Sequence, residues 1–353
     1  MKRILVTGAG GSAAINFIAS LRMAPEEIYI VGTDTNKWHL ELPNVNKRYI
    51  LTLATNENYI EKLIQVIDKE GIEFIHPQPD PEVKVISENR ERIQARTYLP
   101  RKETIKTCQD KARLSKLLME HRVSVPESIA VNSPEDLDRA LNTLEKGNGK
   151  IWLRARKGAG SRASLPISEK VHGEMWIDYW AKVKGIGWGD FMACEFLPGK
   201  EFAFQSLWNE GELITSAARE RLEYIFGNLT PSGQSSSPSV AKTIHREDVN
   251  EVATRAVLAV DESATGIFCI DMKENKDGNP CVTEINAGRF FTTSNFFAEL
   301  GVNMPYIYVK LAYGEEISNL PKYNAAPKDC YWIRLVDKGP ILVRGEEWRS
   351  MAL

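Results

Sequence analysis

A chain of 353 residues is longer than a single hydrophobic core usually organises, so two or three domains are expected. With 43% hydrophobic residues, 26% charged residues and a formal net charge of -2, the composition is that of a globular protein. It excludes a chain-wide electrostatic pull toward nucleic acid or an anionic membrane, so any basic site must be local.

Five cysteines, Cys108, Cys194, Cys269, Cys281 and Cys330, form no C-x-x-C pair. They fit reduced thiols in a cytoplasmic protein better than a disulfide framework or a zinc site. The start, MKRILVTGAG, has too short an apolar run for a secretion signal, and no run of about 18 apolar residues predicts a membrane span.

Strand and helix patterns alternate from the beginning. Ile4 to Val6 reads as a strand, the run to about Arg22 as a helix, Tyr29 to Gly32 as a strand, NENYIEKLIQVIDKEG as a helix and IEFIHP as a strand. That βαβαβ order predicts a parallel sheet with right-handed crossovers. A helix over about Glu82 to Gln94 follows, and the polar stretch ARTYLPRKETIKTCQDK marks a boundary near Cys108.

Beyond it, DKARLSKLLMEH predicts a helix and VPESIAV a turn and short strand. SPEDLDRALNTL predicts a helix capped by Ser133 with Pro134 at its first position, and KIWLRA a strand. Strands then dominate through FMACEFL, EFAFQSLW and ELITSAARERLEY, with NEGE turning between the last two. REDVNEVATRAVLAV sets Val249, Val252, Ala253, Ala256, Val257 and Val260 on one helical face, and GIFCIDMKENKDGNPCVTEIN reads as a hairpin.

The hairpin carries the most chemistry. A two-residue turn at Asp277 and Gly278 would place Asp271 opposite Glu284, Cβ atoms about 5 Å apart, with Asn286 two residues on along the same face. Facing carboxylates repel unless a cation lies between them, and oxygen donors of this kind suit Mg²⁺ shared with phosphates. An exposed acidic hairpin face is the alternative that spacing leaves open.

Further along, WLRARKGAGSRAS delivers Arg154 and Arg156 into a loop with Gly158 and Gly160, flanked by Lys157 and Arg162. Glycines admit a close backbone approach to phosphate and the cations offset its charge, although a solvated loop would look the same. ACEFLPGKEFAF sets Glu195 and Leu197 at a strand end and Glu201 beyond a Pro-Gly bend. Backbone groups there could meet a purine edge and a carboxylate could meet ribose hydroxyls, or the segment is an ordinary β-bend.

SAARERLEY puts Arg219 and Arg221 on one strand face, able to grip a carboxylate at two points or to stand as an exposed charged strand. Thr230 to Ser239, including Ser235, could line a pocket with hydroxyls or be a plain surface loop. Spacing of four between Trp176 and Trp180 favours core packing over a stacking platform. The five histidines show no partner pattern and receive no catalytic role.

In this order, the segments resemble the ATP-grasp superfamily, and most closely its carbamoyl-phosphate-synthase large-subunit branch, over roughly residues 1–315. The resemblance implies an α/β chain: a Rossmann-like pre-ATP-grasp domain at 1–107, then a two-lobed α+β ATP-grasp domain. Its small lid subdomain would span 108–194 and its large subdomain, with the metal site, 195–320. Beyond the resemblance, DCYWIRLVDKGPILV reads from its own pattern as a strand pair, a C-terminal strand extension over 321–353.

The implied cofactors are ATP and Mg²⁺ or Mn²⁺. By resemblance, Lys111 and Arg154 reach ATP phosphates, and RKGAGSR, with Gly158, Gly160 and Ser161, is the lid loop. Glu195 and Leu197 match the adenine hinge and Glu201 the ribose-binding carboxylate. Asp271, Glu284 and Asn286 match the metal ligands, TEIN standing for the E-x-N signature. Arg289 comes three residues after the asparagine, where members often have an arginine two after; with Arg154 it is assigned to the transferred phosphate.

The implied reaction is ATP-dependent C–N ligation. A carboxylate attacks the γ-phosphate to give an acyl phosphate and ADP, and an amine or ammonia then displaces phosphate. A single module argues against carbamoyl phosphate synthesis by this chain alone. The partners are then small-molecule carboxylate and amine substrates, with neither nucleic acid nor membrane, and a homodimer is the assembly left open.

The opening GAGGSAA, with Asp34 ending the second strand, also fits a dinucleotide loop. An NAD(P)-dependent oxidoreductase is therefore the alternative enzyme, and an ATP-binding module without turnover the alternative binder. In the ATP-grasp reading, Gly10 and Gly11 border the acceptor substrate.

Overall fold

The computed structural model describes residues 1–158, 163–235, 237–317, 319–336 and 341–344. Three sheets organise the described residues.

β1 (Lys2–Thr7), α1 (Ser12–Arg22), β2 (Ile28–Asp34), β3 (Lys47–Ile50), α2 (Tyr59–Glu70), β4 (Phe74–His76), α3 (Asp80–Glu88), β5 (Arg96–Thr97) and α4 (Lys102–Cys108) form the first unit. Its sheet has the order β3-β2-β1-β4-β5. β1 pairs in parallel with β2 on one side and β4 on the other, so Ile4, Leu5 and Val6 are all buried and the strand reads as one apolar run.

α2 turns Tyr59, Ile60, Leu63, Val66 and Ile67 inward and stops at Gly71, whose φ of 58° a glycine adopts without a Cβ penalty. The helix expected to about Gln94 ends earlier, at Glu88, because the Asn89 side chain bonds back to Val85 O at 2.9 Å and the chain tightens into a 3-10 turn over Arg90–Arg92. In a 3-2-1-4-5 sheet the strand order reverses between β1 and β4, and their carboxyl ends carry the Gly8–Gly11 loop and the Pro79-Asp80 start of α3.

The second unit contains α5 (Lys111–Glu120), β6 (Ser128–Val131), α6 (Pro134–Leu144), β7 (Ile151–Ala155), β8 (Leu165–Ile167), α7 (Lys170–Lys184) and β9 (Phe191–Glu195). Its antiparallel sheet runs β6-β9-β7-β8, and α6 and α7 pack against it. The α6 start is as expected: Ser133 Oγ accepts the Asp136 N–H at 3.3 Å, with Pro134 next to the cap. Trp176 and Trp180 meet at 5.9 Å and pack with Trp188 against this lobe's apolar core.

β10 (Glu201–Asn209), β11 (Glu212–Tyr224), β12 (Pro238–Ile244), α8 (Glu247–Val260), β13 (Gly266–Glu274), β14 (Pro280–Ala287), α9 (Ser294–Glu299), α10 (Met304–Ala312), β15 (Cys330–Ile333) and β16 (Ile341–Arg344) follow. Their antiparallel sheet runs β14-β13-β10-β11-β12-β15-β16. α8 buries Val249, Ala253, Ala256 and Val257 beneath it. α9 and α10 pack against α1 and fasten the first unit to this sheet.

His76, at the end of β4, is fully buried, stacks on Phe17 at 4.0 Å and lies 2.9 Å from Gln78 Oε1. Burial pushes its pKa down to about 4. Between pH 6.5 and 4 the unfolded chain therefore takes up a proton that the folded chain refuses, and stability falls as pH drops. Glu82, raised to about 7 by burial, titrates in the opposite sense, so the comparison must isolate His76. Against His76→Gln, the wild type should lose up to about 3 kcal/mol between pH 7 and 4 in urea unfolding. A difference that does not vary with pH would show that His76 titrates normally.

Candidate functional site

The site is laid out on one face of the seven-stranded sheet. Asp271 on β13 faces Glu284 on β14 and, on its other side, Ala203 on β10, which in turn faces Arg219 on β11. The neighbouring row is Lys273, Glu201 and Arg221. Asn286 Nδ2 lies 3.1 Å from Asp271 Oδ2, which closes the trio expected from the hairpin.

The expected turn does not occur. Asn275 Oδ1 accepts the N–H groups of Asp277 and Asn279, each at 3.0 Å, and this holds a longer loop in which Glu274 faces Pro280. That register is one residue off the expected one. A bulge at Thr283 restores it, so Asp271 meets Glu284 after all.

Cations surround the two carboxylates. Arg221 Nη2 donates to Asp271 Oδ1. Glu284 Oε2 lies 3.1 Å from Arg154 Nη2 and 3.6 Å from Lys111 Nζ, and its Oε1 lies 3.9 Å from Arg289 Nη2. Arg154 reaches in from β7 and also binds the bulge carbonyl of Thr283 at 3.1 Å. Lys111 opens α5, where Asp110 caps the helix, and its Nζ donates to Gly158 O at 2.6 Å. Gly158, at φ 97°, would meet nothing with a Cβ; Gly160 and Ser161 lie outside the described residues.

Burial alone would raise both carboxyls. For Asp271 burial prevails over the opposing Arg221, and its pKa is raised. For Glu284 the surrounding Lys111, Arg154 and Arg289 outweigh burial and hold it below the usual carboxylate range. Lys111 is itself lowered by burial despite Glu284.

Glu195, at the end of β9, Leu197 and Glu201 line one cleft with Trp152, Met272 and Arg154. Burial would raise Glu201, but Lys273 at 2.6 Å and the Tyr224 hydroxyl hold it low. Gln234 Nε2 adds a third bond at 2.5 Å. Ser235 lines the same cleft, with its hydroxyl 2.9 Å from Ile225 O, and β12 begins at Pro238, inside the stretch read as loop.

In the first unit, sequence reasoning pointed to Gly10 and Gly11 and missed Asp80 and Gln78. Asp80, in the first turn of α3, holds the Arg289 guanidinium through Nε and through Nη2 at 3.3 Å, while Arg289 Nη2 also donates to Asn286 Oδ1. Gln78 grips the next residue, donating to Phe290 O at 2.8 Å and accepting its N–H at 3.3 Å. Gly288, at φ 88°, takes up the extra residue before Arg289, so the unusual spacing still delivers the arginine to Glu284.

A groove of about 1000 Å³ runs from the Gly8 loop past Asp80 to Glu284 and Arg289. Gly11 lines it. Gly10 does not: its N–H donates to Asp34 Oδ2 at 2.9 Å, and a Cβ there would lie 2.6 Å from the His39 backbone. A Cβ on Gly8 would lie 2.3 Å from Pro79. These glycines admit close packing of the chain's own backbone, and Asp34, bonded also to Asn36 N at 2.8 Å, is committed to the loop. At Gly10 the space and the N–H that a dinucleotide pyrophosphate would use are taken by His39 and Asp34.

Among the described residues no three His, Cys, Asp or Glu side chains gather into a metal cage. Two facing carboxylates and an amide suit Mg²⁺ or Mn²⁺, which completes its shell with phosphate oxygens and water.

The profile of a family described as "ATP-grasp in the biosynthetic pathway with Ter operon" matches residues 188–329. No curated protein sequence matches the chain significantly. Among solved structures, the biotin carboxylase domain of Hydrogenobacter thermophilus 2-oxoglutarate carboxylase, in complex with MgADP, ADP and bicarbonate, is similar at a TM-score of 0.71 and 16% identity, covering 94% of this chain and 73% of that one. N5-carboxyaminoimidazole synthetase from Staphylococcus aureus is similar at 0.67 and 14%, covering 94% and 82%. L-amino acid ligase from Bacillus licheniformis is similar at 0.68 and 14%, covering 94% and 79%. The chain thus shares the fold of these structures over 94% of its length, and residues 188–329 match the ATP-grasp family profile.

Proposed function

We propose that the chain is an ATP-dependent ligase that activates a small-molecule carboxylate as an acyl phosphate for attack by an amine or ammonia. The observation that carries this reading is the convergence of three units on one cleft. Asp271, Glu284 and Asn286 come from the large sheet, Lys111 and Arg154 from the lid side, and Asp80 fixes Arg289 from the first unit.

In this reading Glu195 and Leu197 border the adenine, and Glu201 turns from Lys273 toward ribose hydroxyls. Asp271, Glu284 and Asn286 would hold Mg²⁺ or Mn²⁺, which supplies charge neutralisation on the phosphates. Lys111 and Arg154 take the phosphate oxygens, and Arg289 faces the transferred group. Such a transfer needs positioning and charge complementarity more than covalent help. Exclusion of water from the cleft would protect an intermediate that hydrolyses readily. The acceptor enters by the groove between Gly11 and Arg289.

Thermal unfolding tests the nucleotide site. MgADP or MgATP at about 100 times its dissociation constant should stabilise the fold by roughly 2.7 kcal/mol, while NAD(P)H does not. A shift with NAD(P)H alone would return the glycine loop to its oxidoreductase reading and overturn this one.

A further inference from the structure

Among the described residues Arg219 has no ion-pair partner of its own. The side chain is entirely buried on β11, and its Nε and Nη1 have no hydrogen-bond partner among the described residues. The nearby acid, Asp271, is already engaged by Arg221 and Asn286. Burial, joined by the positive charge of Arg221 and Arg334, pushes Arg219 down to about 9 despite Asp271.

The guanidinium lies against the face of Phe291 at 4.6 Å, and Phe291 lines the nucleotide cleft beside Arg221 and Arg289. Arg219 is thus one aromatic ring behind the cleft. An uncompensated buried cation is costly, and a structural role would be filled as well by an apolar side chain of similar length.

Position separates Arg219 from the phosphate-handling end. Ala203 stands between it and Asp271 in the row, so the two backbones lie two strand spacings apart, about 10 Å. Arg221 and not Arg219 pairs with Asp271 among the described residues, so a carboxylate phosphorylated beside Asp271 and Arg289 leaves Arg219 uncommitted. Resting on the ligase reading above, we propose that Arg219, reached when the Phe291 ring swings aside, receives a second anionic group of the acceptor, which is therefore at least a dianion. A guanidinium serves a carboxylate or a phosphate in two-point geometry.

The test uses the full chain saturated with MgADP, melted with acetate, with dicarboxylates from malonate to adipate, and with 3-phosphonopropionate, for wild type, Arg219→Met and Arg219→Lys. The wild type should bind at least one dianion roughly tenfold or more tighter than acetate, and the better of the two classes names the second group. Arg219→Met should lose that preference yet melt higher than the wild type without ligand, and Arg219→Lys should keep part of the preference.

Equal response to acetate and every dianion in the wild type overturns the proposal. So does an Arg219→Met chain that melts lower or fails to fold, since Arg219 would then be a structural pillar. The MgADP shift itself is the separate control: its absence in the wild type indicts the ligase reading instead.

Discussion

Glu284→Gln is expected to reduce ATP-dependent turnover by about a hundredfold to a thousandfold or more, as removal of a single preorganised charge does in other active sites. The substitution keeps the shape and removes the charge that Lys111, Arg154 and Arg289 share. Three cations would then crowd a neutral amide, and the Asp271–Asn286 pair would be the remaining metal donors. The measurement is ADP release with the carboxylate and amine that a substrate screen identifies, alongside nucleotide melts with and without Mg²⁺. The Mg²⁺-dependent part of the ATP shift should disappear. A variant that keeps a tenth of wild-type turnover would remove Glu284 from the metal-binding role.

Gly8→Ala is expected to be the most damaging small substitution in the first unit. Gly8 sits at φ 57°, and the added methyl would lie 2.3 Å from the Pro79 ring. The left-handed backbone costs an alanine about 1–2 kcal/mol, and overpacking a site that cannot give adds roughly 1–3 kcal/mol. Pro79 directly precedes Asp80, so relief of the clash displaces the carboxylate that steadies Arg289. Denaturant unfolding should show a loss of about 2–5 kcal/mol together with reduced turnover. Unchanged stability would mean that the β1 and β4 loops are free to separate.

The parts of this architecture that were legible in the sequence are those written in local periodicity. The β1-α1-β2 alternation, the Ser133 cap and the amphipathic α8 needed no distant partner to be recognised. The hairpin is instructive because its register was reached through a turn that does not form: Asn275 builds a longer loop, the Thr283 bulge restores the alternation, and the carboxylates face each other regardless.

What could not be read depends on contacts across the chain. Asp80 and Arg289 are 209 residues apart, and nothing near QPDPE signals an arginine partner. α10 escaped because it is apolar on nearly every face and lacks the polar stripe that marks a surface helix, and α9 because its six residues are too few to show a helical period. Gly10 looked like a phosphate-loop residue because the requirement for a missing Cβ is the same whether phosphate or the His39 backbone fills the space.

The double grip of Gln78 and Asp80 on Phe290 and Arg289 has a consequence for engineering. A chimera that grafts another protein's first unit onto this large sheet would exchange a wall of the groove and, with it, the counter-charge of Arg289. On the proposed ligase reading, such a graft would alter reaction chemistry as well as substrate choice. It should be designed with the residues at 78 and 80 carried over from this chain.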